Sequence, residues 1–262
     1  PVYFAVTVAP NNRIGIDDYL AMEGLVYKLT YEKSPENSSM PRLNYDRMLQ
    51  NISETNDYGK IIYEPKEYWN QINIGNGIYR YTNLDNADIY FNENIQRLIQ
   101  NYRSSFLQLG LQNLYSSDSE GKDKTLKLLE MMDDYFPSKV IPTTDAELDI
   151  QIGRIYYQAG RPEELKNRLD QIQKRRDLSL ESKVYIGQLY MNELKDTDAS
   201  IEYYQELFDE YPFISDILYT LVQAYAKAER QEEARETLEL WLLSHPNDSQ
   251  AIDWLSILSM QN

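Results

Sequence analysis

No cysteine occurs among the 262 residues, which removes disulfides, zinc–thiolate sites, iron–sulfur ligation and cysteine nucleophiles together. That absence suits the cytosol and the bacterial periplasm equally. Histidine is almost as scarce: His245 stands alone beside Pro246, so neither a histidine metal cluster nor a histidine-based general base can be assembled, and a structural role is expected for it. No stretch approaches the roughly 18 uninterrupted apolar residues of a membrane span, and the mean hydropathy is −0.62. Basic residues are outnumbered 26 to 42, a formal charge of −16 that repels a phosphate backbone and excludes nucleic acid as a partner. No nucleophile–base constellation and no phosphate-cradling glycine loop is present, so the chain is expected to be non-catalytic, with no cofactor and no metal. It opens on Pro1-Val2-Tyr3-Phe4 without an initiator methionine, a basic leader or a cleavage motif, and reads as a piece of a longer protein.

What the chain does contain is a repeat. Ile152-Gly153-x2-Tyr156, Ile186-Gly187-x2-Tyr190 and Leu221-Val222-x2-Tyr225 stand 34 and then 35 residues apart. Ser200-x3-Tyr204 precedes Pro212 and Ala234-x3-Leu238 precedes Pro246 at the same interval. Leu165-x3-Leu169 repeats the spacing with Asp177 in the proline's place. A more divergent copy reads Leu109-Gly110, Thr125-x3-Leu129 and Pro137. This period, with a small residue where two helices cross and a proline after the second helix, resembles the tetratricopeptide repeat. The spacing predicts a mostly α fold: a tetratricopeptide-like α-solenoid of about four helical hairpins over 91–262, closed by a capping helix from Ser249 to Met260 with an apolar stripe of Ile252, Leu255, Ile257 and Leu258.

Residues 1–90 lack that period and read as a small α/β segment. Val2, Phe4, Val6 and Val8 share one side of a strand, and Asn11-Asn12 mark a turn. Asp17 or Asp18 is expected to cap a short helix through Tyr19, Leu20, Met22, Glu23, Leu25 and Val26, with Lys28 to Tyr31 extended again. Ser34 to Pro41 reads as an exposed loop and Tyr58 to Tyr81 as irregular structure. A helix is expected to resume near Asn92.

Pro1-Val2-Tyr3-Phe4-Ala5, Asp18-Tyr19-Leu20 with Glu23-Gly24-Leu25, Asp88-Ile89-Tyr90-Phe91 and Asn101-Tyr102-Arg103 carry a second likeness. It is similar to the carboxyl-terminal portion of a bacterial family of multi-pass membrane proteins of unassigned function, related to the GT-C lipid-linked-sugar glycosyltransferases and to an animal protein O-mannosyltransferase. The resemblance implies a membrane-embedded catalytic part upstream of Pro1, an extracytoplasmic (periplasmic) location for this portion, and no catalytic residue within it. The function expected from it is a protein-interaction module that engages an acceptor protein or the membrane part. A stand-alone scaffold for protein complexes, unconnected to glycosylation, is the alternative.

By register, the first-helix residues one turn from the packing positions are expected to hold a protein or peptide partner: Arg154, Tyr157, Gln188, Asn192, Tyr219, Gln223 and Lys227. Amides and tyrosines suit this because they donate to and accept from a peptide backbone without needing a particular side chain opposite. The same positions suit an ordinary solvated face. Tyr63, Tyr68, Trp69, Tyr79 and Tyr81 form an aromatic cluster that suits stacking on a glycan, with core packing as the competing reading. Asn83, Asp85, Asn86, Asp88, Asn92 and Glu93 lack the spacing of a calcium loop and read as a helix-capping turn. Asp17, Asp18 and Glu23 read as capping residues rather than a catalytic carboxylate pair.

Overall fold

The structure is a computed structural model that describes residues 1–35, 42–52, 79, 81, 83–175 and 178–260. It is mostly helical, with one small sheet near the amino terminus. The chain divides into two compact units, Pro1–Arg161 and Pro162–Asn262.

In the first unit β3 (Val26–Leu29) lies between β1 (Tyr3–Ala5) and β2 (Leu20–Met22), antiparallel to both. Within β1 half-buried Phe4 lies between exposed Tyr3 and Ala5, but the strand is shorter than expected: Val2 is exposed, and Val6 and Val8 are half-buried in the turn that follows. The helix expected after Asp17 is not there. A 3-10 turn, Asp17–Tyr19, leads directly into β2. Leu20, Ala21 and Met22 are all buried, and a continuous apolar run has no periodicity to separate a strand from a helix. The chain then reverses at Gly24, whose φ of +97° favours glycine and whose missing Cβ leaves room for the Tyr79 ring. The Tyr79 hydroxyl accepts from Leu25 N at 2.5 Å, and burial pushes its pKa up to about 12. None of the three acids caps that absent helix by side chain: Asp17 accepts from Arg13 at 2.8 Å, Asp18 pairs with Lys33 at 3.3 Å, and buried Glu23 accepts from Asn44 Nδ2 at 2.7 Å.

Among the described residues this unit also has the helices α1 (Tyr45–Ile52), α2 (Glu93–Leu114), α3 (Gly121–Tyr135) and α4 (Ala146–Gln158). The Asn92 side chain caps α2 by accepting from Ile95 N at 3.0 Å, and Asn86 accepts from Asp88 N, so the polar run before α2 is the capping turn expected. Met22, Met48, Phe106, Leu129 and Phe136 share one core. Arg103 is buried there, donating from Nη2 to the carbonyls of Phe136 and Ile141 at 2.8 and 2.5 Å, so a charged side chain holds the chain leaving α3 against α2. Tyr79 and Tyr81 belong to this core, Tyr81 lying 4.1 Å from the Tyr135 ring; Tyr63, Tyr68 and Trp69 lie outside the described residues.

The second unit is helical throughout: α5 (Pro162–Ile172), α6 (Leu180–Asn192), α7 (Thr197–Glu210), α8 (Ser215–Lys227), α9 (Gln231–Ser244) and α10 (Ser249–Met260). From α6 onward each helix packs on the next. The small residues of the repeat sit where helices cross. Gly187 of α6 faces the Tyr204 ring of α7, and Ser200 Oγ donates to the Gly187 carbonyl at 3.0 Å. In the first unit Thr125 Oγ1 makes the equivalent bond to Gly110 O at 2.9 Å.

Each turn is built the same way. After α4, α6 and α8 the chain enters a left-handed residue, Gly160, Lys195 or Glu229. The next amide then returns to the motif tyrosine: Arg161 N to Tyr156 O, Asp196 N to Tyr190 O, Arg230 N to Tyr225 O, at 2.9 to 3.0 Å. The second helices α3, α7 and α9 end on Phe136, Tyr211 and His245, with φ of −129°, −129° and −126° and ψ of 62°, 63° and 61°. The following proline forces each of these residues out of the helical region. Asp177, the residue in the proline's place after α5, lies outside the described residues.

The last helix, α10, forms where the capping helix was expected, but its buried face differs. Ala251 and Leu258 are buried and Trp254 and Leu255 half-buried, whereas Ile252 and Ile257 are exposed. Positions 251, 254, 255 and 258 follow the helical period; 252 and 257 do not share that stripe.

Two stability outcomes follow from this packing. Gly187→Ala drives a Cβ into the Tyr204 ring, which is fully buried and anchored by its hydroxyl on Val184 O at 2.8 Å; a loss of about 1–3 kcal/mol is expected in urea melts. Gly110→Ala, whose Cβ meets Thr125 Cγ2 at 3.3 Å, is expected to be close to neutral, because helix propensity offsets the tighter contact. At the left-handed turns, Glu229→Gly relieves a backbone strain of about 1 kcal/mol and raises the midpoint of a thermal melt, an expectation that a lower midpoint would refute.

Candidate interaction face

The first helices of the second unit are placed side by side by tyrosine. Tyr190 of α6 donates its hydroxyl to Asp170 of α5, the second helix of the preceding repeat, and Tyr225 of α8 accepts from Gln205 Nε2 of α7 at 2.6 Å. In the first unit Tyr156 of α4 donates to Asp133 of α3 at 2.8 Å. One side chain per repeat therefore reaches back to the repeat before it. The sequence signal was a polar residue 20 to 23 positions ahead of each motif tyrosine, which the hairpin pattern alone does not use. Burial raises the Tyr190 pKa, and the neighbouring Asp170 carboxylate raises it further, so the phenol keeps its proton.

With α6 and α8 in direct contact, equivalent register positions come together. Lys227 Nζ donates to Asn192 Oδ1 at 2.7 Å, one repeat apart. Gln188 is half-buried beside exposed Asn192 on α6; exposed Gln223 and Lys227 occupy the same places on α8. Arg154 and Tyr157 are half-buried on α4, in the first unit. Tyr219 stands apart from these: it is buried, and its hydroxyl donates to Asp248 Oδ1 at 2.6 Å.

From α6 to α9 charge is sorted between first and second helices, although α5, with Glu163, Glu164 and Asp170 against Lys166 and Arg168, does not share the pattern. On α6 Glu181 is balanced by Lys183, and on α8 Asp216 by Lys227. On α7 Asp198, Glu202, Glu206, Asp209 and Glu210 have no basic residue among them, and α9 sets Glu232, Glu233, Glu236 and Glu239 against Arg235 alone. Counted over each helix, α6 and α8 are thus neutral inside a strongly acidic chain, with Lys183 reaching across to Glu210 of α7.

Asp248 locks the end of this array. Besides Tyr219, it accepts from Trp241 Nε1 at 2.8 Å and from Ala251 N at 3.2 Å, joining α8, α9 and the start of α10. His245 stacks on Trp241 with ring centroids 3.8 Å apart, the structural placement expected of the sole histidine. Among the described residues no group of three or more acidic or histidine side chains is arranged to hold a metal ion, and no helix is long and apolar enough to cross a membrane.

The hydrogen bond from Tyr219, followed by those from Trp241 and the α10 amides, holds the Asp248 carboxyl below the usual carboxylate range. A depressed carboxylate stabilises the fold above its unfolded-state value, and that contribution disappears as the pH falls through its folded-state value. Tyr219→Phe is expected to lift Asp248 toward the ordinary range and to cost about 1 kcal/mol at neutral pH, a deficit that narrows in acid. Carboxyl NMR titration together with melts at several pH values reads both; an unmoved Asp248 titration contradicts the arrangement.

Residues 192–253 match the family model described as tetratricopeptide repeat. No curated protein matches the sequence. Among solved structures, one titled MamA AMB-1 aligns with 65% of this chain and 84% of its own, at 14% identity and a TM-score of 0.37.

Proposed function

We propose that the chain is a protein-interaction scaffold of tetratricopeptide type whose first-helix face holds an extended segment of a partner protein. The observation that carries this reading is the sorting of charge: α6 and α8 present Gln188, Asn192, Gln223 and Lys227 on neutral helices, while the acid load sits on α7 and α9. Amide side chains aligned one repeat apart pair with the regularly spaced N–H and C=O groups of an extended peptide, and a neutral face imposes no repulsion on it. Tyr219, buried on α8, supports this face through its bond to Asp248.

A finer reading follows the likeness described from the sequence: a non-catalytic extracytoplasmic module of a membrane-bound, GT-C-like glycosyltransferase, engaging the acceptor protein or the membrane part. The motifs Asp88-Ile89-Tyr90-Phe91 and Asn101-Tyr102-Arg103 support it, the second by supplying the buried Arg103. The stand-alone scaffold differs in what precedes the segment, and a set of hydrophobic spans encoded upstream separates the two.

Photo-crosslinking tests the face itself. A benzoyl-phenylalanine placed at Gln188 or Gln223 is expected to capture partner protein from an extract of the source cells, and one at Glu206 or Glu236 is not. Gln188→Ala combined with Gln223→Ala is expected to weaken capture of the identified partner by about tenfold, or ~1.4 kcal/mol, with the circular dichroism spectrum unchanged. Equal crosslinking from both kinds of helix moves the binding surface elsewhere.

A further inference from the structure

By register, the face on α6 and α8 continues onto α10. Gly187, Val222 and Ser256 stand at the same interval after Asp177, Pro212 and Pro246, so Gln188 of α6, Gln223 of α8 and Ile257 of α10 are equivalent. Gln223 is exposed and Gln188 half-buried although further helices follow both. This place is therefore open whether or not another helix follows, and Ile257 is exposed there at 55%. Phe213, Leu240, Leu243 and Ile252 of the same unit are exposed too, but off the face: Phe213 in the turn before α8, Leu240 and Leu243 on a second helix, and Ile252 at the register of buried Leu218. Half-buried Trp254 stands one turn before Ile257 on the same side of α10, its ring centroid 5.1 Å from that of Tyr219 on α8. Ile257 and Trp254 thus form an apolar step beside the amides.

Lys227 supplies a second element. Lys183 and Arg235, the other basic side chains on α6 to α9, pair with Glu210 and Glu232. Lys227 has no carboxylate partner among the described residues; it donates to the neutral Asn192 Oδ1 at 2.7 Å, which leaves its charge and two further hydrogens for a ligand. We propose, resting on the peptide-binding reading of this face, that the segment held there carries a bulky apolar side chain seated on Ile257 and Trp254, and an acidic side chain about three residues away paired with Lys227. The interval follows from geometry. Packed helices lie about 8–10 Å apart and an extended chain advances about 3.3 Å per residue, so residues about three apart reach neighbouring first helices. Charge favours an acidic residue over a basic one: the acids of α7 and α9 draw a basic segment to themselves, and turn an acidic one towards Lys227. Gln188 and Gln223 hold the backbone that any sequence supplies, and Ile257 and Lys227 add the choice of sequence.

Phage-displayed random dodecapeptides selected on the whole chain are the probe. The enriched pool is expected to pair a bulky apolar residue with Asp or Glu about three positions away. In anisotropy titrations of an enriched peptide, Ile257→Gln is expected to weaken binding about tenfold, and replacing the peptide's apolar residue by Ser is expected to cost the parent chain the same but the variant nothing more. Ile257→Leu and the off-face control Ile252→Gln are expected to bind as the parent does, with thermal melts unchanged. Lys227→Gln is expected to weaken binding roughly threefold at low salt and to make no difference at high salt. A pool without the paired residues, or peptides that Gln188→Ala with Gln223→Ala weakens while Ile257→Gln or Lys227→Gln does not, overturns the proposal and leaves the broader reading of the face standing. Peptides insensitive to every one of these substitutions, or no enriched peptide at all, overturn both.

Discussion

The motif tyrosine is held at both ends, and the repeat architecture depends on that. At Tyr156, Tyr190 and Tyr225 the carbonyl closes the turn into the second helix of its own hairpin, while the hydroxyl reaches the second helix of the hairpin before. One residue thereby fixes the angle within a repeat and the spacing between repeats. The glycine three positions before Tyr190 serves the next contact along the chain, Gly187 leaving room for the Tyr204 ring of α7. At the same register α8 holds Val222, and α9 carries Ala234 where α7 has Ser200.

Nearest-neighbour contact shapes the energetics as well. Each hairpin in the second unit gains most of its burial from the helices beside it, so stability is a sum over repeats plus their junctions. The terminal junction is reinforced by Asp248, one carboxylate bonded to groups on three helices, and by the Trp241–His245 stack. Charge sorting adds a constraint of another kind. Acidic residues crowd onto α7 and α9, where water and salt screen them, and leave the amides of α6 and α8 available for hydrogen bonding.

The repeat was legible in the sequence because a period of 34 residues with glycine, tyrosine and proline at fixed places has few other physical explanations. The stretch from Asp17 to Val26 was not, since three successive buried residues in β2 show neither helical nor strand periodicity, and the turn that decides the matter depends on Tyr79, 54 residues away. Hydrophobicity alone misjudged α10: Ile252 and Ile257 are its most apolar residues, yet small Ala251 and bulky Trp254 face the core because they obey the helical period. Of the residues nominated for binding, Gln188 and Asn192 on α6 stand at the register of Gln223 and Lys227 on α8, and Lys227 bonds Asn192. Tyr219 went inward because Asp248 offers it a partner that no pattern of hairpins encodes.

The bonds from the motif tyrosines run in one direction. Tyr156 reaches back to Asp133, Tyr190 to Asp170 and Tyr225 to Gln205, in every case to a helix made earlier in the chain. As the polypeptide leaves the ribosome, the motif tyrosine of each emerging first helix finds its partner already made. Assembly can therefore keep pace with translation, hairpin by hairpin, with apolar surface covered almost as soon as it appears.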